Sequence, residues 1–219
     1  MSGRAHFDEA LDALRVDVGA LGGMAEDAVR DSAAALVGDR PELAERVIAG
    51  DDEIDRLFVA LEERAYQLVA QQAPVAHDLR FLMAVLRVIS DYEKTGDRAV
   101  SVAKVAIAEW EREPHSLTLL GRMADLSIEL LVQSRRAWTG QDLVRARQLK
   151  ARDDVLDDCY RRLVRHLLDQ GSPGASGLVL YAHSAGRHFE RIADHAVIVG
   201  ERVAYLLTGD PGALAAEVR

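Results

Sequence analysis

The chain contains two versions of the same pattern. SDYEKTGDRAVSV, residues 90–102, returns 97 residues later as RHFERIADHAVIV, residues 187–199. DDEIDRLFVALEERAY, starting at Asp51, returns 102 residues later as DDVLDDCYRRLVRHLL, starting at Asp153. Self-similarity at a near-fixed spacing means one supersecondary unit used twice. The fold is therefore bound to be a pair of like units, and each must bury its apolar face against itself or its twin.

Those units are helical. Between the five prolines, apolar residues recur at helical spacing and no alternating strand pattern of useful length occurs. Six long helices are expected, over residues 5–37, 41–71, 76–111, 116–138, 141–169 and 175–207. Pro41 suits a first helical turn, and Pro211 ends the last helix. Pro74, Pro114 and Pro173 fall in polar gaps. The expected class is all-α, with two tandem three-helix bundles of up-down-up connection over residues 1–113 and 114–219. The change of spacing from 102 to 97 is assigned to a longer connection around Pro74 than around Pro173.

Composition narrows the function. Aromatic residues make up only 5%, and 49% hydrophobic with 29% charged residues describes a globular chain. A formal net charge of -9 argues against nucleic acid as a main partner, because phosphate backbones demand a concentrated basic surface. The single cysteine, Cys159, supports neither an internal disulfide nor a zinc site by itself and reads as a small packed side chain. The first residues carry acidic groups and no long apolar run, and no stretch has the length of a membrane span. A cytoplasmic protein, touching membrane only through partners, is the expectation.

The repeated segments share an electrostatic oddity. Glu93 and Asp97 stand four apart, as do Glu190 and Asp194, and like charges at that spacing cost an isolated helix roughly 0.2–0.5 kcal/mol. Helical projection puts Glu93 within the arc of Leu82, Val85, Leu86, Ile89, Tyr92, Val100, Ala103 and Ile107, with Asp97 at its edge. Arg80, Arg87, Lys94 and Arg98 lie opposite, as a solvated back. Glu190 and Asp194 flank the arc of Val179, Ala182, Phe189, Ala193, Val197 and Ala204, with Arg191 and His195 behind. Asp51 with Asp55, and Asp153 with Asp157, repeat the relation on the second and fifth helices.

Partly desolvated, mutually repelling carboxylates call for a counter-cation: arginine from a neighbouring helix, a hydrogen-bond network or a metal ion. Paired carboxylates suit hard or borderline cations. No Glu-x-x-His occurs, so the ferritin-type di-iron arrangement is absent. His183 lies one turn before Arg187, near the acidic flank, while His77 and Asp78 are placed to cap the start of the third helix. No phosphate-binding glycine loop, dinucleotide fingerprint or nucleophile elbow is present.

With PVAHDLRFLMAVLRVISDYEKTGDRAV in the first copy, GRHFERIADHAVIV in the second, and DDEID and DDVLD at matching points, the chain resembles the PhoU family over residues 5–208. The resemblance implies two similar three-helix bundles and a non-enzymatic negative regulator of phosphate uptake and phosphate-starvation signalling. The implied partners are the ATPase subunit of a phosphate ABC transporter and the sensor histidine kinase of a two-component system, with a homodimer as the expected assembly. It further implies that iron, zinc, manganese or magnesium can bind at Glu93, Asp97, Glu190 and Asp194, with Asp51, Asp55, Asp153 and Asp157 as additional ligands. The family's asparagine after the second Asp-His is Ile198 here, with Ser101 at its first-copy counterpart. The family's glycine before the second acidic residue is kept as Gly96 and replaced by Ala193. From the residues alone, a carboxylate-metal phosphohydrolase and a metal-free helical adaptor remain the alternatives.

Overall fold

A computed structural model describes residues 3–72, 74–169 and 176–218. Among them run six long α-helices: α1 (Gly3–Gly38), α2 (Pro41–Gln72), α3 (Ala76–Ile107), α4 (Pro114–Gly140), α5 (Leu143–Asp169) and α6 (Ser176–Thr208). A short 3₁₀ segment, Pro211–Val218, closes the described chain and packs on α6. The six-helix, two-bundle expectation holds. Residues 170–175, including Pro173, lie outside the described residues. The expected comparison of the connections around Pro74 and Pro173 therefore falls outside the described residues; α2 has 32 residues and α5 has 27.

Local chemistry explains the middle boundaries. Pro114 occupies the first turn of α4, and the Glu113 carboxylate accepts from the backbone N–H of His115 (2.8 Å) and of Ser116 (2.6 Å). The third helix stops at Ile107, short of the expected 111, because Ala108 turns to extended backbone. Side chains then take over the orphaned carbonyls. Trp110 Nε1 donates to Val105 O (3.1 Å), and Arg112 donates to Ala106 O and to Leu36 O (3.0 Å). One guanidinium thereby ties the ends of α1 and α3 together.

Within each copy the three helices all touch; between copies, α1 meets α4 and α3 meets α6, while α2 and α5 form the outer edges. Both seams follow a pseudo-two-fold relation. Gly19 of α1 lies against Thr139 of α4, and Gly121, at the same register of α4, lies against Val37 of α1. On the other seam His195 Nδ1 is 3.0 Å from Asp91 Oδ1. The register partner of Asp91 is His188, and it lies near Arg98, the register partner of His195.

This seam limits the expected solvated back of α3, on which Arg87 and Lys94 are exposed while Arg80 and Arg98 are half-buried. Asp91 is buried, and the ring of His195, placed on the polar side by the projection, is largely covered. With neighbours on three sides, α3 keeps only a strip of its back in solvent. For the same reason both apolar clusters draw on both copies. Trp138 of α4 is buried beside Phe81 of α3, with ring centroids 5.8 Å apart, and its Nε1 donates to Arg15 O at 3.1 Å. Val199, Val203 and Leu206 of α6 join the same cluster.

Candidate functional site

The two hairpins α2–α3 and α5–α6 each bring their four acidic residues together. In the first copy, Asp51 and Asp55 of α2 face Glu93 and Asp97 of α3. Burial raises the Asp51 carboxyl above its ordinary range, and repulsion from Asp55, Asp97 and Asp52 adds to it. Glu93 is raised for the same reasons, burial first and then Asp97, Asp55 and Asp51. Lys104 and Lys94 oppose these effects weakly. No basic side chain forms an ion pair with any of the four among the described residues.

Gly96 makes the close approach possible. A Cβ there would stand 3.0 Å from Ile54 Cδ1 and 3.9 Å from an Asp51 carboxylate oxygen. Gly96→Val is therefore expected to push α2 off α3 and to destabilise by about 1–3 kcal/mol, read from denaturant midpoints. An unchanged midpoint would mean the hairpin is not tightly packed there.

The second copy has the same carboxylates in a different charge setting. Asp153 is 3% exposed, and Asp157, Glu190 and Asp194 are half-buried. Burial is the leading cause of the raised carboxyls of Asp153, Asp157 and Glu190, with neighbouring carboxylates contributing. Here, however, the protein supplies cations. Lys150 Nζ is 2.7 Å from Asp153 Oδ2 and 3.2 Å from Asp154 Oδ1. Arg187 donates to Glu190 at 2.5 Å, and Arg191 donates to Asp194 at 3.3 Å.

Sequence reasoning missed Asp154 and Lys150. The oxygens of Asp153, Asp154 and Asp157 lie within 4.8 Å of one another, close enough for one cation to meet all three. The signal was present, since DDVLD places a third acid next to the pair and Lys150 stands three residues earlier.

The histidines are engaged elsewhere. His183 meets the Tyr160 hydroxyl at 3.0 Å, and no described histidine is hydrogen-bonded to any of the eight predicted carboxylates. His77 and Asp78 do not cap α3: its N-cap is Val75 without a side-chain bond, and Asp78 accepts from Arg4 at 2.8 Å. Cys159 packs half-buried against an apolar cluster drawn from both copies.

Comparison with known proteins decides the family. The model of the PhoU domain matches twice, over residues 18–106 and 120–203. The chain belongs to the PhoU family. A PhoU homolog of Synechocystis, named a phosphate-specific transport system accessory protein, is 34% identical over 208 residues, covering 94% of this chain and 93% of the relative. One of the same description from Caulobacter vibrioides is 33% identical, covering 93% and 90%. The crystal structure of PhoU from Pseudomonas aeruginosa superposes with a TM-score of 0.89 at 28% identity, over 93% of this chain and all of that one. Each PhoU repeat thus carries one of the two acidic clusters. No helix among the described residues is long and apolar enough to cross a membrane.

Proposed function

We propose that this protein is an accessory regulator of a phosphate-specific transport system, acting by docking rather than by catalysis. The observation that carries the proposal is the match of both repeats, in sequence and in fold, to PhoU proteins named for that system. The partners are the transporter's ATPase subunit and a phosphate-sensing histidine kinase, met from the cytoplasm, and two like bundles offer two like faces for them. Each hairpin presents apolar surface of its own. Val75, Leu79 and Met83 stand exposed four residues apart at the start of α3, and Leu180 is exposed at the matching register of α6.

The first acidic cluster is the metal site in this reading. Its donors are all carboxylate, suited to iron, manganese, magnesium or zinc, and no side-chain ion pair among the described residues meets its charge. A bound cation would neutralise Asp51, Asp55, Glu93 and Asp97 and tie α2 to α3. The second cluster fits less well, because Lys150, Arg187 and Arg191 already meet its carboxylates.

Deleting the gene tests the regulatory role. Phosphate-starvation genes are expected to be expressed in phosphate-rich medium after deletion, and to be repressed again when the gene is restored. Continued repression with unchanged phosphate uptake would overturn the proposal.

A further inference from the structure

The internal duplication supplies its own control, because each residue of one cluster has a counterpart in the other. Asp153, Asp154 and Asp157 correspond to Asp51, Asp52 and Asp55, and Glu190 and Asp194 correspond to Glu93 and Asp97. The acidic sets match one for one. The basic sets do not. Lys150 stands where the first copy has Ile48, and Arg187 stands where it has Ser90. Arg191 corresponds to Lys94, which is exposed and forms no ion pair among the described residues.

Lys150 has the most telling geometry. Its ammonium bridges Asp153 Oδ2 and Asp154 Oδ1, two of the three carboxylates whose oxygens cluster within 4.8 Å. A metal ion meeting those same oxygens would occupy the same ground. The other oxygen of Asp153, Oδ1, is buried and has no hydrogen-bond partner among the described residues. A buried carboxylate oxygen left without a donor is a cost that a monovalent point charge on one side does not remove. A divalent ion meeting both oxygens would.

We propose that Lys150 is a built-in counter-cation that closes the second acidic cluster to divalent metal. Metal therefore loads the first repeat first, and the second cluster becomes a metal site only when the ammonium is displaced. Lys150 is a compact charge on a flexible, half-exposed stem, so it can leave the carboxylates without unfolding the helix. Arg187 and Arg191 reinforce the closure at Glu190 and Asp194. The proposal rests on the reading of the first cluster as a metal site, and the two are separable by experiment.

The test is titration of the metal-free full-length protein with Mn²⁺, reading free Mn²⁺ by electron paramagnetic resonance. In the wild type one tight class of site is expected, lost in Asp51→Asn/Glu93→Gln. Lys150→Met is expected to bind additional Mn²⁺ at least about tenfold tighter than the wild-type second cluster, a change of ~1.4 kcal/mol. Adding Asp153→Asn to Lys150→Met should remove that gain, and Lys150→Arg should not produce it. Lys150→Gln, which keeps a donor without the charge, serves if Lys150→Met fails to fold by circular dichroism. Unchanged stoichiometry and affinity in both neutral variants would overturn the proposal while leaving the first-cluster reading intact. Mn²⁺ binding by the neutral variants but not by the wild type would support the counter-cation and overturn the first-cluster reading. Absence of binding in every protein would overturn both.

Discussion

Trp138→Ala is expected to destabilise the protein by about 3–5 kcal/mol, the range for deleting a buried indole. Trp138 is a second-repeat residue, yet its ring lies on Phe81 and its N–H is held by Arg15 O, both in the first repeat. Truncation opens a cavity at the joint of α1, α3 and α4 and leaves that carbonyl short of a donor. At roughly 2–4 °C per kcal/mol for a chain of this size, the midpoint should fall by about 6–20 °C. The transition should remain single, because the cluster it damages contains residues of both repeats. Two resolved transitions in calorimetry, with only the second-repeat step moved, would show that the repeats are stabilised independently and sink this account of the core.

The sequence disclosed the helices and the duplication because both are local or periodic signals. The helical pattern showed two separate acidic pairs, and it was the resemblance to the PhoU family that implied Asp51, Asp55, Glu93 and Asp97 as one ligand set. What the sequence could not disclose was the surroundings of each helix. A projection of α3 divides its surface into one apolar and one polar side, and so sends Arg98 and the corresponding His195 to water. Packing on α6 places Asp91 against His195 and Arg98 near His188 instead. The polar seam was invisible because its partners lie far apart in the chain, Asp91 and His195 by 104 residues. Lys150 was within reach, since a lysine three residues before an acidic pair can fold back on it. Its weight became clear only once Asp153 proved to be buried.

The same logic predicts opposite effects of one double variant with and without metal. Asp51 and Glu93 have carboxyls raised above 3.8 and 4.5, their ordinary values, by burial and by their acidic neighbours. A carboxyl raised in the folded state favours folding while protonated, and that contribution is lost as pH rises through its folded value. At neutral pH both groups are therefore ionised at a cost. In metal-free protein Asp51→Asn/Glu93→Gln should gain a few tenths to about 1 kcal/mol at pH 7, given the partial exposure of both groups. The wild type should gain stability as pH falls from 7 through the raised values of these carboxyls towards 4.5 and 3.8, and the variant should gain less. Further acidification should reverse the trend. Burial opposes ionisation of Glu113, but the bonds from His115, Ser116 and His166 outweigh it and hold its carboxyl at about 2, so its contribution fades between 4.5 and that value. Divalent metal should invert the order of the two proteins. At a free Mn²⁺ concentration of about 100 times the dissociation constant, the wild type gains ~2.7 kcal/mol by mass action, whereas the variant, lacking two ligands, gains little. Thermal unfolding at pH 7 with chelator and with Mn²⁺ measures both halves. If the variant is the less stable protein in chelator, the acidic cluster is a source of stability in its own right, and the case for a missing cation at Glu93 and Asp97 loses its physical basis.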